Sequence, residues 1–373
     1  MRVAFVSNYF NHHQKPFCDE MNRLLGSGNF WFVANERVSE WRKKLGYKEM
    51  TADYVVDYSP AIDLMISRCD VVIYGHTSPY HNRFIRARLK EGKIVVKNSE
   101  RIYKSNTPFY HKLYHLVKYR FLFGKSLNAY LLAASAYAPY DYSQLRVFSN
   151  RMLKWGYFPE VIRYDIDDLW DKKQSNSILW VSRFIEWKHP ELVIRLAQYL
   201  KEKNATFSIR MIGTGDLQGY FEKEVARQGL QDYVSILGSM SPEDVRKHME
   251  RSEIFLFTSD KREGWGAVLN ESMNSACAVV ACNQIGAVPF LIEDGDNGIV
   301  FHNEQMMCEK VYLLLNDYQK RREIGYKAYS TIVGMWNPTI AAKRLVSFFE
   351  SKIIGKDISF DAGPCSPATI IKG

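Results

Sequence analysis

The feature that most constrains this chain is an alternation, run twice, of short apolar segments with longer stretches of helical periodicity. In the first half, apolar runs read as strands at Arg2–Ser7, Phe30–Ala34, Tyr54–Val56, Val71–Tyr74 and Ile94–Lys97. Helical spacing is read at Pro16–Leu25, Val38–Leu45, Ser59–Ser67 and Pro79–Lys90, and again from Pro108 to Tyr137. After the polar stretch Asp171–Asn176 the pattern restarts. Strands at Ser177–Ser182, Phe207–Ile212, Val234–Leu237, Ile254–Thr258, Ala278–Ala281 and Gly298–Val300 alternate with helices at Pro190–Glu202, Leu217–Gln228, Ala267–Ser275 and Glu304–Asn316. Ser241-Pro242 marks one more helix start, with a cap followed by proline at the first helical position. Strands alternating with helices imply mostly parallel sheets covered on both faces, an α/β fold class.

At 373 residues the chain is longer than one core usually holds. The spacing predicts two α/β domains, 1–165 and 166–337, with a last helix at 338–355 returning to the first. Residues 356–373, with Gly363-Pro364 and Ser366-Pro367, read as a flexible tail. Two such units leave one natural place for a ligand, the cleft at the carboxyl ends of their strands. No apolar run approaches the ~20 residues of a membrane-spanning helix, so neither a spanning helix nor a signal peptide is expected. The cysteines, 18, 69, 277, 282, 308 and 365, form no C-x2-C pair, which fits reduced thiols and a cytoplasmic setting.

Charge is distributed unevenly. Residues 1–160 hold 24 Lys+Arg against 13 Asp+Glu, whereas the rest holds 26 against 28. Residues 83–125 alone carry 12 basic and 2 acidic side chains, interleaved with aromatics from Phe84 to Phe123. Such a surface attracts anionic partners: a nucleic acid, anionic lipid headgroups or a phosphate-bearing substrate.

Three segments carry chemistry. In Glu263-Gly264-Trp265-Gly266-Ala267, two glycines flank a tryptophan between a strand and a helix start, where free N–H groups favour an anion. Glu263 falls before that helix and Glu271 inside it, so the pair brackets a polyhydroxylated ligand, whose hydroxyls carboxylates accept. In Val181-Ser182-Arg183 and Trp187-Lys188-His189-Pro190, two cations stand beside another helix start, an arrangement suited to a diphosphate. Glycine turns follow further strands at Gly213-Thr214-Gly215, Gly238 and Gly286, but no G-x-G-x-x-G is present, which argues against a nicotinamide dehydrogenase. His12-His13, His76 and Ser99-Glu100-Arg101 follow strands of the first half. No G-x-S-x-G elbow accompanies any serine.

In this order the segments of residues 177–301 resemble the retaining nucleotide-sugar glycosyltransferases with two Rossmann-like domains, the GT-B type, and within them the family 4 group. The resemblance implies that Arg183 and Lys188 neutralise a donor diphosphate, that Glu263 reaches hydroxyls of the transferred sugar, and that Glu271 holds the ribose. It further implies that Gly213 is a donor-site turn, that Gly238 and Met240 border the base, and that backbone N–H groups at Gly264, Trp265, Gly266 and Ala267 face phosphate or sugar. His76 is the candidate for the first-domain histidine of such enzymes. No catalytic metal is implied. The co-substrate is a nucleoside diphosphate sugar, UDP favoured, and the partner a glycan acceptor, with the basic 83–125 stretch favouring a polyprenyl diphosphate carrier at an anionic membrane surface on the cytoplasmic side. Two alternatives stay open: another cleft enzyme of this fold, a sugar-nucleotide epimerase or phosphorylase, and a nucleic-acid-binding module. The Glu263–Glu271 arrangement has no use in the second, so no nucleic-acid partner is expected.

Overall fold

The computed structural model describes residues 1–40, 49–75, 81–105, 107–124 and 126–372. The chain forms two units, one of Met1–Glu160 with Trp336–Gly373, the other of Val161–Met335. Among the described residues the first contains a seven-stranded parallel sheet with strands β1 (Val3–Ser7), β2 (Phe30–Ala34), β3 (Val55–Asp57), β4 (Val71–Tyr74), β5 (Ile94–Ser99), β6 (Ala129–Ala133) and β7 (Met152–Lys154), in the order β3-β2-β1-β4-β5-β6-β7. The second contains six, β8 (Gln174–Val181), β9 (Ser208–Ile212), β10 (Val234–Ile236), β11 (Ser252–Phe257), β12 (Ala278–Cys282) and β13 (Ile299–Phe301), in the order β10-β9-β8-β11-β12-β13. Both are Rossmann-like. Their central strands are buried along their whole length, β1 and β4 in the first sheet and β11 and β12 in the second. Helices cover both faces of a parallel sheet, so its strands read as unbroken apolar runs rather than alternating ones.

In each sheet the strand order reverses once, between β1 and β4 and between β8 and β11. At such a point the loops leaving two neighbouring strands turn to opposite faces and leave a crevice beyond their carboxyl ends. The chain passes closely at the first reversal: a Cβ on Gly75 would stand 2.7 Å from Ser7 Oγ, and that hydroxyl would have to turn away.

Three buried cations fasten helix ends to these sheets. Arg88 donates to the carbonyls of Ile66, Cys69 and Asp70, at 3.1, 2.9 and 3.1 Å. Lys173 reaches four carbonyls, those of Met249, Glu250, Ser252 and Ser275, at 2.8–3.3 Å. Arg321 serves the end of helix Glu304–Asn316 through the carbonyls of Leu314 and Leu315, and pairs with buried Glu253 at 3.0 Å. The last carbonyls of a helix lack intrahelical donors and carry its negative end, so a cation there satisfies both needs.

Several expectations are corrected. The stretch Pro108–Tyr137 is not one helix: the helix is Phe109–Phe123, Gly124 ends it at φ +49°, and the apolar run Ala129–Ala133 is the strand β6. A five-residue apolar run cannot be assigned by periodicity, and the sheet position decides it. The helix Tyr318–Gly334 is not among the expected elements, because polar residues occupy much of it. The tail is not loose. Cys365 and Ser366 are buried, and residues 365–368 run antiparallel along β7, with Lys154 N–H donating to Ser366 at 2.7 Å and Ala368 N–H to Met152 at 2.9 Å. An edge strand leaves unpaired backbone groups, and this segment satisfies those of β7 despite its Gly/Pro/Ser composition. The helix expected at Val38–Leu45 lies partly outside the described residues.

Candidate functional site

The second unit's switch point gathers the residues singled out by sequence. The loop after β8 carries Arg183, Glu186, Trp187 and Lys188, and the loop after β11 carries Asp260, Arg262 and Glu263. The two loops are braced from below. The indole N–H of buried Trp180 donates to Thr258 Oγ1 at 2.9 Å, and that hydroxyl donates to the Lys188 carbonyl at 2.6 Å. Asp260 N–H adds a bond to the Trp187 carbonyl at 3.1 Å.

On this brace the Lys188 ammonium pairs with the Glu263 carboxylate, and both side chains are largely buried, at 11% and 14% exposure. Burial pushes the Lys188 pKa down, while Glu263 works in the other direction. Trp187 collects both cations: Lys188 Nζ lies 4.2 Å and Arg183 Cζ 5.5 Å from its ring centroid. A cation over an indole face is held without an anion, so Arg183 stays exposed and available.

Two helices start beside these side chains. Pro190–Glu202 begins after His189, and Ala267–Asn274 after Gly266; neither N-cap residue bonds the first turn through its side chain. At the first start Pro190 lacks an N–H, Glu191 N–H meets its own carboxylate and Leu192 N–H donates to the His189 carbonyl at 3.2 Å, so the capacity of a helix start to bind an anion is greater at the second. His189 holds a left-handed φ of 51° and links the loops, with Nδ1 2.6 Å from Glu191 and Nε2 3.5 Å from Asp260. The bond to Glu191 raises its pKa, Asp260 adds to this, and burial opposes them.

The glycines have stated reasons. Gly266 lies at φ +90°, and a Cβ there would come within 2.6 Å of Phe257. Gly213, at φ +140°, would place a Cβ 1.8 Å from the Ser182 carbonyl oxygen. Its N–H donates to the Gly238 carbonyl at 2.8 Å, so the loops after β8, β9 and β10 lie against one another. Gly264 is buried, and Ala267 opens the helix. The Trp265 side chain is wholly buried and donates to Asn270 Oδ1 at 2.9 Å; its backbone carbonyl accepts from Ala287 N–H at 3.2 Å. Glu271 is half-buried one helical turn beyond Ala267, on the same helix face. Met240 lines an open depression with Asp244, Lys247, His248 and Arg251.

In the first unit, His12 and His13 sit side by side after β1, their ring centroids 3.9 Å apart. Glu100, after β5, accepts from Tyr157 OH at 2.6 Å and pairs with Lys104, while Arg101 is buried near Asp141 and Tyr137. His76 lies outside the described residues. Among the described residues no group of three or more His, Cys, Asp or Glu is placed to hold a metal ion. Sequence reasoning missed Trp187 and His189: an aromatic three residues before a helix and a left-handed histidine have no periodic signature.

Residues 165–331 match the family described as glycosyl transferases group 1. Curated relatives include a trehalose synthase of Pyrococcus horikoshii, 30% identical over 175 residues (44% of this chain, 40% of that protein), and the amylovoran biosynthesis glycosyltransferase AmsK of Erwinia amylovora, 30% identical over 130 residues (34% and 32%). The chain thus spans under half the length of these relatives. Among solved structures, HepE of Anabaena, crystallised with UDP, covers 94% of this chain and is itself fully covered, at a TM-score of 0.68 and 15% identity. A glycosyltransferase from Rickettsia africae covers 95%, with 99% of that chain matched, at 0.66 and 15%. The second unit is therefore related in sequence to the group 1 glycosyl transferases, and the chain has the GT-B fold of two Rossmann-like units that these solved structures share.

Proposed function

We propose that this protein is a retaining glycosyltransferase of the family 4 group, which moves a hexosyl unit from a UDP-sugar to a sugar acceptor in cell-surface polysaccharide synthesis. The observation that carries the reading is the Lys188–Glu263 pair at the switch point, beside Arg183 and two helix starts whose N-cap residues make no side-chain bond to the first turn. Relatives named as glycosyltransferases, and the solved structures holding UDP or UDP-glucose, support the donor class.

On this reading Lys188 and Arg183 take the diphosphate, and the helix starts add N–H donors as negative charge builds on the leaving oxygen. Glu263, released from Lys188, accepts from the hydroxyls of the transferred sugar, while Glu271 takes those of the ribose. The acceptor hydroxyl attacks from the face the diphosphate leaves, and a departing phosphate oxygen takes its proton. No metal is needed, because fixed positive charge stabilises the leaving group. The acceptor is carried on a polyprenyl diphosphate, and the enzyme works at the cytoplasmic membrane face.

A thermal-shift screen of nucleotide sugars tests the donor, because a ligand that binds only the folded state raises the unfolding temperature. Product analysis with the responding donor then looks for a new α-glycosidic bond and free UDP. If no nucleoside diphosphate sugar shifts the transition, the reading falls.

A further inference from the structure

The helix Phe109–Phe123 is apolar on two sides, and one of them is bare. Its inner side is anchored: Leu122 and Phe123 are buried, Leu116 and Tyr119 pack on the first unit's core, and Tyr119 meets Tyr142 edge-on with centroids 5.4 Å apart. The outer side presents Phe109, Tyr110, Leu113, Tyr114, Val117 and Phe121, exposed by 78, 67, 48, 58, 63 and 61%. At about 100° per residue these six fall in one stripe about 140° wide. Single exposed apolar residues are ordinary, but six contiguous ones on one helix are not.

Charge decides what covers them. The helix contains no acidic residue. At the same pitch Lys118 falls about 40° beyond one edge of the stripe and Lys112 about 60° beyond the other, exposed Arg120 lies within it, and the Arg86 guanidinium of the neighbouring helix rests 3.9 Å from the centroid of the Phe121 ring. A second copy of this chain meeting the same face two-fold would bring these cations together. A bilayer containing anionic lipid instead accepts the apolar stripe among its acyl chains and the cations at its headgroups, where long basic side chains reach the interface.

We infer that the helix Phe109–Phe123 is an interfacial membrane anchor, lying in the plane of an anionic lipid surface with Phe109, Leu113, Val117 and Phe121 inserted and Arg86, Lys112, Lys118 and Arg120 at the headgroups. The inference stands on the first unit alone and does not depend on the donor chemistry of the second. It names the element that keeps the protein beside a lipid-borne substrate.

The test is co-sedimentation with vesicles of phosphatidylcholine alone and of phosphatidylcholine mixed with phosphatidylglycerol. The full chain is expected to bind the mixed vesicles, to bind pure phosphatidylcholine weakly, and to release as salt rises. Lys118→Gln with Arg120→Gln is expected to weaken binding about 30-fold, at the energy each cation contributes near an anionic surface. Leu113→Ser with Val117→Ser and Phe121→Ser is expected to abolish it. Because these side chains are exposed, the triple variant should keep the wild-type unfolding temperature and donor response, which separates lost docking from lost folding or a failed donor assignment. Equal binding to both vesicle types, undiminished binding by the triple variant, or a wild-type dimer that this variant dissolves would each overturn the inference.

Discussion

Lys188 and Glu263 form an ion pair between the loops that leave β8 and β11, the two strands at which the second sheet reverses its order. Removing one member of such a pair strands the other charge away from water, whereas replacing both leaves no charge behind. Lys188→Met is therefore expected to lower stability by about 3 kcal/mol. The double variant with Glu263→Gln should recover much of that loss. Activity should not follow: each single variant and the double variant should lose at least ~100-fold in kcat/KM for the donor, the size of a lost transition-state charge contact. Urea unfolding beside steady-state kinetics checks this; equal stability in all three variants would remove the pair from the site's framework.

Two glycine positions separate backbone conformation from crowding. Gly238→Ala places a Cβ in open space at φ +73°, and should cost about 1 kcal/mol, the strain of a left-handed alanine. Gly213→Ala drives a Cβ into the Ser182 carbonyl, so the loop after β8 must move. It should cost at least ~3 kcal/mol and weaken donor binding as well. Thermal unfolding with and without donor distinguishes the two, and similar behaviour would contradict the contact between these loops.

His189 gives the site a pH dependence of defined sign. Its folded pKa stands above the ordinary 6.5, chiefly through the bond to Glu191. The imidazolium therefore contributes stability that is full below pH 6.5 and is lost as pH rises through the folded value. His189→Asn tolerates the left-handed backbone and carries no charge. The stability difference between wild type and this variant should shrink as pH rises; a difference that grows would reverse the assignment.

Lys97 supplies the opposite case in the first unit. It is buried on β5, donates to the Gly75 carbonyl at 3.0 Å, and burial, with repulsion from Lys118, lowers its pKa from 10.5 to about 8. Between those two values the unfolded chain holds the proton more tightly, so folded stability gains with rising pH. Compared with Lys97→Met, the wild type should become relatively more stable from pH 8 to 10.5. A flat difference would place the ammonium in contact with water.

The fold was legible wherever burial on both faces wrote a strand as an unbroken apolar run, as at Val71–Tyr74 and Ile254–Phe257. It was not legible at Ala129–Ala133, where an equally apolar run follows an aromatic helix and only its neighbours β5 and β7 make it a strand. The candidate site was readable for the same reason glycine is: Gly213 and Gly266 stand where no other residue fits without displacement. What holds the loops, the Trp180–Thr258–Lys188 chain and the His189 bridge, depends on residues 70 or more positions apart and leaves no local pattern. The outer stripe of Phe109–Phe123 was visible only as composition, because an evenly apolar helix has no periodic signal to show which side is covered.

The clasp of residues 365–368 on β7, and the helix Pro338–Ile353 packed on helix Lys15–Leu25, bring segments from beyond residue 335 back to the first unit. During synthesis the first sheet emerges before these two segments, which leave the ribosome only after the whole of Val161–Met335. The later-made unit, continuous in sequence, is thus the one able to mature first, and a nascent chain stopped near residue 335 would carry a finished second half beside an unfinished beginning.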